Sequence, residues 1–202
     1  MFLPLGYSVL APDNRAHGES GGPVVTYGLL EKYDVVDWAH WLRTQGCQKI
    51  YGLGESLGAS ILIQASAAEP VFSAVVAECP YSNLRQMAEY RVRGMLRVLP
   101  GVVSGTIASV TTDAGLFYAS TFEKLDFSQA SPGRSMAESH TPILLIHGLD
   151  DDHTPCSESQ ELFAVRPHDT QLWLVPHANH TQASSVAPVE FHDRVLGWFA
   201  EH

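Results

Sequence analysis

Five residues, Gly54-Glu55-Ser56-Leu57-Gly58, place a serine between two glycines. A short strand-like run, Lys49 to Leu53, leads into them, and an apolar, alanine-rich run, Leu57 to Ala68, follows and reads as a helix. A serine at such a sharp strand-to-helix turn takes a strained backbone conformation. The flanking glycines remove β-carbons that would collide where strand and helix approach. The turn lifts the hydroxyl above the sheet and aims the first amides of the helix at whatever the hydroxyl attacks. Ser56 is therefore the candidate nucleophile, and the Leu57 N–H is a candidate oxyanion donor. A hydroxyl is a poor nucleophile at neutral pH, so it needs a neutral imidazole to take its proton. That imidazole needs a carboxylate to fix its tautomer and stabilise the imidazolium that forms. Two later loops supply these types: Asp150-Asp151-Asp152 follows one strand-like run, and His177 and His180 follow the last one.

The elements that must position these groups alternate in type. Gly6 to Ala11 reads as a buried strand closed by Pro12-Asp13, and Asp13 to Gly22 is a loop of turn formers. Leu29 to Gln45 reads as a helix, with Val35, Trp38, Ala39 and Leu42 on one face and Gly46 at its end. After the serine turn, Ser73 to Glu78 is the next strand. Pro142 to His147 is the clearest strand in the chain, Cys156 to Val165 a helix, Thr170 to Val175 the last strand, and Val186 to Glu201 a closing helix. Strands separated by helices at this spacing predict a parallel α/β sheet. In such a sheet, functional groups gather outside the carboxyl ends of the strands, where all three loops lie.

Tyr81 to Ser139 breaks this rhythm. Leu84 to Leu99 reads as a helix with Arg85, Arg91, Arg93 and Arg97 on a basic face, and Gly101 to Ala119 is rich in small residues. Two or three short helices are expected over about 84–139, as a cap on the sheet edge. They are either a plain solvated insertion or a lid shaping an acyl pocket through Met87, Tyr90, Met95, Leu116, Phe117 and Tyr118. No repeat or second-domain linker is visible, so residues 1–202 read as one domain.

Composition narrows the partners. The formal net charge of −10 disfavours nucleic acid and an anionic membrane surface. Cys47, Cys79 and Cys156 are odd in number and widely spread, with no metal-type spacing, which fits reduced thiols in the cytoplasm. No apolar run is long enough to span a bilayer. His177 and His180 could join the three aspartates in a cation site, but no helical His-Glu-x-x-His or cysteine ligand supports one, and neither metal nor cofactor is expected.

With the motifs in the order Ser, Asp, His, the chain resembles the α/β-hydrolase superfamily, and within it the esterase and prolyl-oligopeptidase-type branch often called serine aminopeptidase-like. The resemblance covers nearly the whole chain. Gly6 to Ser20 is similar to the family's fourth strand and its Asp-x-Arg-x-His-Gly-x-Ser loop. The family's His-Gly-x-x-Asp-x-x-Val-Pro loop is matched by His147, Gly148, Asp151, Thr154 and Pro155, which implies Asp151 as the triad acid. Its terminal Gly-x-Gly-His is matched by His177-Ala178-Asn179-His180, which implies His180 as the base; His177 and Asn179 stand where small residues are usual. The resemblance also implies a sheet order 1-2-4-3-5-6-7-8. Met1 to Leu5 matches only the tail of the helix before the fourth strand. Strands one to three are then missing, the chain reads as an N-terminally truncated form, and the second oxyanion donor is not among these residues. Such a loss costs on the order of 10²–10³ in rate. The expected activity is a serine hydrolase acting on a small-molecule ester or amide through an acyl-enzyme. The alternatives are an aminopeptidase-type peptidase or a non-catalytic, hydrolase-like binding protein. Asp150, Asp152, His153, His17 and Arg15 read as loop and rim residues, and Glu55 as a pocket-tuning or network residue.

Overall fold

In the computed structural model, which describes residues 1–202, four strands follow one another both in sequence and in space. They are β1 (Tyr51–Glu55), β2 (Ala74–Glu78), β3 (Ile143–Gly148) and β4 (Thr170–Val175), all parallel, in the order β1-β2-β3-β4. The register pairs Glu55 with Glu78, Glu78 with Ile146 and Gly148 with Val175, so the carboxyl ends finish at one rim. Strands β2 and β3 are buried along their whole length, as a parallel sheet covered on both faces requires.

Period-two alternation sends the strand side chains into two separate cores. On one face, Ala74, Val76, Leu144, Ile146 and Trp173 pack against Phe191, Val195, Trp198 and Phe199 of α8 (Pro188–Glu201). On the other, Val75, Ala77, Ile143 and Leu145 pack against Ala59 and Ile63 of α2 (Leu57–Ala68), Met136 of α5 (Pro132–Glu138) and Leu162 of α6 (Ser157–Val165). Helix α1 (Glu31–Thr44) lies on α2 through Val35, Val36 and Ala39, with Trp38 and Leu42 partly buried beside them. This is the parallel α/β sheet with helices on both faces expected from the sequence.

Two expectations need correction. Gly6 to Ala11 is not a buried strand: it has no strand pairing, and Val9 and Leu10 are exposed. The residue pattern suits a strand, but a strand needs a backbone neighbour, and β1, the nearest sheet edge, does not pair with it. A groove of about 210 Å³ lies there instead, with Leu10 and Pro12 on one side and Leu53 and Gly54 on the other. The segment is anchored through aromatic rings, with Phe2 against Phe199 and Tyr7 against Tyr51.

The second correction concerns the insertion. After α3 (Leu84–Met95), residues 101–122 form one helix of 22 residues, α4 (Gly101–Phe122), longer than the short helices expected there. Its buried positions are Ser104, Ala108 and Thr112, spaced four apart, so the face that packs on α3 is made of small residues. Arg85 ties the pair together by reaching Asp113, Glu89 and Ser109. Of the residues named for the lid reading of the insertion, only Met87 is buried; Met95, Phe117 and Tyr118 are 81%, 68% and 55% exposed. Helices α3, α4 and α5 make up the two or three helices expected over 84–139, while α7 (Ala183–Val186) lies outside the elements expected from the sequence. No helix is long and apolar enough to cross a membrane.

Candidate active site

Ser56 is the single residue between β1 and α2, and its backbone angles, φ 52° and ψ −113°, lie outside both strand and helix regions. For a residue with a β-carbon this is a strained conformation, and strain of this kind concentrates at functional sites. The surroundings fix it: the Ser56 N–H donates to the Glu78 carbonyl at 2.8 Å, tying the turn to the end of β2. Leu57 opens α2, so its N–H belongs to the first turn of amides without an intrahelical partner.

The two flanking glycines are not equivalent. A β-carbon on Gly54 would lie 2.7 Å from the backbone carbon of Gly58, whereas one on Gly58 would meet nothing within 4 Å. The close approach of strand and helix is therefore made at Gly54. Gly54→Ala is expected to destabilise by about 1–3 kcal/mol through overpacking against backbone. Gly58→Ala should stay within about 1 kcal/mol of wild type, since alanine favours the helix. Urea unfolding of the two variants checks this, and equal losses would contradict it.

His180 reaches Ser56 from the loop after β4. Its Nε2 lies 2.8 Å from Ser56 Oγ, and its Nδ1 lies 2.7 Å from Asp151 Oδ2. A carboxylate only accepts, so Nδ1–H donates to it and the Nε2 lone pair is left to accept from the serine hydroxyl. Asp151 is buried, and its Oδ1 accepts from the His153 and Thr154 amides at 2.9 and 2.8 Å. Burial alone would push the Asp151 carboxyl up. The nearby His147 ring and the hydrogen bonds from the His180 ring and the Thr154 amide outweigh this and hold it well below the usual carboxylate range. The group is thus a fixed anion behind the imidazole.

Several supporting groups were not singled out for this role from the sequence. His147, fully buried, donates Nε2–H to the Thr154 carbonyl at 2.9 Å, passes 3.3 Å from Asp151 Oδ2, and accepts at Nδ1 from the Ser159 hydroxyl at 2.7 Å. Asn179, the departure from a small residue, has a positive use: its Oδ1 accepts from the His180 amide at 2.6 Å and from the Asp152 amide at 3.3 Å, bracing the two loops together. Gly148 allows the same loops to touch, since a β-carbon there would lie 2.2 Å from the Ala178 carbonyl oxygen. Glu78, buried at the end of β2, accepts from the Ala183 amide at 3.0 Å and steadies the chain just beyond His180; burial pushes its carboxyl up. His147 and Gly148 fall in the His-Gly-x-x-Asp pattern, but what they and Glu78 touch is revealed only by the folded contacts.

The other candidates fall outside the contact. His177 has a left-handed backbone (φ 63°), a side chain 90% exposed, and its nearest acid is Asp150 at 3.9 Å. Asp150 and Asp152 are exposed, as is Glu55. His153 stands at the rim, its ring edge-on to that of His180 at 5.2 Å. Arg15 anchors its loop to Asp34 at 2.6 Å. Asp151, His153 and His180 are close enough to share a cation, but both oxygens of Asp151 are already engaged by N–H donors. Cys79, beside the site, is no competing nucleophile: burial pushes its thiol up to about 12, so it stays protonated at neutral pH.

Comparison with known proteins identifies the family and the fold. The family model described as the alpha/beta hydrolase family matches residues 1–195. The Bacillus subtilis protein YqkD is 28% identical over 91% of this chain and 59% of its own length, and YfhR of Salmonella typhi is 24% identical over 86% and 54%. The chain thus spans somewhat over half the length of these relatives. Among solved structures, the Pyrococcus furiosus esterase Pf2001 superposes with a TM-score of 0.74 at 26% identity, covering 98% of this chain and 72% of the esterase. A Pyrococcus horikoshii acylaminoacyl peptidase superposes with a TM-score of 0.58 at 18% identity, covering 86% of this chain and 28% of the peptidase, a likeness of fold.

Proposed function

This chain belongs to the alpha/beta hydrolase family, and from that premise we propose that it hydrolyses a small-molecule carboxylic ester through a covalent acyl-serine intermediate. The observation that carries this reading is the unbroken relay from Ser56 Oγ through the His180 ring to Asp151, at 2.8 and 2.7 Å. Ser56 Oγ attacks the ester carbonyl while its proton passes to His180 Nε2. The C–O bond to the alcohol then breaks, and the same proton leaves with the departing alkoxide. A water repeats the sequence on the acyl-enzyme, giving its proton to His180 and releasing the acid and the free Ser56 hydroxyl. The Leu57 N–H, at the positive end of α2, donates to the oxyanion in both halves. These steps use only the named groups and water, so no metal or cofactor is required.

An ester is preferred to an amide because the solved structure at 26% identity is named an esterase, whereas likeness to the peptidase at 18% is one of fold. The test is hydrolysis of p-nitrophenyl esters of graded acyl length beside aminoacyl p-nitroanilides. Ester turnover with a burst of one p-nitrophenol per chain is expected. Faster anilide cleavage would move the protein to the peptidases, and a folded sample that cleaves neither would leave the relay without catalytic use.

A further inference from the structure

The α3–α4 hairpin has its apolar character inside out. Its packed face uses Ser104, Ala108 and Thr112, while Val98, Val102, Met95 and Val110 are 91%, 84%, 81% and 63% exposed. Soluble helices place large apolar residues inward, so an exposed run of this kind marks a surface that meets another apolar phase. The charges in the same stretch indicate which phase. Residues 90–112 contain Arg91, Arg93 and Arg97 and no aspartate or glutamate. All three arginines are exposed and none has a carboxylate partner, unlike Arg85, which is paired with Asp113 and Glu89. In a chain of net charge −10, this is a local cationic patch set among apolar side chains.

We propose that the end of this hairpin docks on the surface of an anionic phospholipid bilayer. Its valines and Met95 enter the acyl boundary, and Arg91, Arg93 and Arg97 meet the lipid phosphates. Amphipathic helices bind bilayers by this combination of apolar burial and attraction to anionic headgroups. The negative charge of the whole chain does not prevent this, because charges more than about 8 Å from the surface are screened at physiological salt, while the arginines would be in contact with it. A second copy is a poorer occupant, since a symmetric contact would set six unpaired arginines near one another. The proposal is independent of the catalytic reading and does not require an active triad.

The test is flotation of the full chain with vesicles of phosphatidylcholine alone and with phosphatidylglycerol added. Binding only to the anionic vesicles, weakened by salt, is expected. Changing Arg91, Arg93 and Arg97 together to Gln should weaken it by roughly 10²-fold, at about fivefold per cation. Val98→Ser with Val102→Ser should also release it, and, because both side chains are exposed, the thermal midpoint should not move. A Val98→Trp reporter should shift its emission to the blue on the anionic vesicles. Equal binding to both vesicle types would overturn the proposal, as would binding to neither. So would a stable dimer in sedimentation that Val98→Ser with Val102→Ser dissociates.

Discussion

Replacing Ser56 with alanine is expected to lower kcat by about 10⁴–10⁶-fold and to abolish labelling by a fluorophosphonate probe. In an acyl-transfer relay the nucleophile, base and orienting acid act as one unit, so losing the attacking oxygen leaves only what binding and the oxyanion donor supply. The substitution is structurally mild. It removes one oxygen and its hydrogen bond to His180, worth about 1 kcal/mol, and keeps the β-carbon in the same backbone conformation. Ser56→Gly supplies the complementary result: equally inactive, yet at least as stable as the alanine variant, because glycine accepts φ 52° without strain. Turnover in Ser56→Ala within tenfold of wild type, or labelling that persists in it, would remove Ser56 from the mechanism. A glycine variant less stable than the alanine one would contradict the strain assigned to the turn.

The degree to which sequence anticipates structure follows from the range of the forces involved. The helix after Ser56 begins and ends where its residues indicate, because an apolar run between a turn and Glu69-Pro70 carries its own boundaries. The last strand, Thr170–Val175, is equally local. Gly6 to Ala11 has the same local character and does not become a strand, because pairing depends on a neighbour that its own residues do not encode. Helix α4 carries a weak sequence signal for a different reason. Its buried stripe is Ser104, Ala108 and Thr112, so the usual signal of large apolar residues facing inward is reversed. At the site, residue types alone left His177 and His180 open. What separates them in the fold is that only His180 has both ring nitrogens engaged, while His177 points to solvent. The buttressing by Asn179 and Glu78 depends on contacts between residues far apart in the chain, and no motif announces it.

Asp151→Asn is expected to lower kcat by about 10⁴-fold while leaving the other contacts of the site nearly in place. The amide is the same size as the carboxylate and its oxygen can still accept from the His153 and Thr154 amides. Its NH₂ group then faces His180 Nδ1 and donates where the carboxylate accepted. The ring answers by carrying its proton on Nε2, which points a donor at Ser56 and leaves nothing to take the serine proton. The loss should therefore appear in kcat, with KM little changed, since Asp151 is buried behind the imidazole. Stability gives a second, separate reading. The Asp151 carboxyl titrates near 3.8 in its ordinary state and lower in the folded chain. Its contribution to stability is therefore complete above pH 3.8 and is lost as pH falls through the folded value. The asparagine has no such titration. In urea unfolding, the difference between wild type and Asp151→Asn should be constant above about pH 5 and shift against wild type as pH falls below 3.8. A kcat within tenfold of wild type would deny Asp151 the orienting role. A stability difference that stays constant down to pH 3 would show that its carboxyl is not held low by the contacts described here.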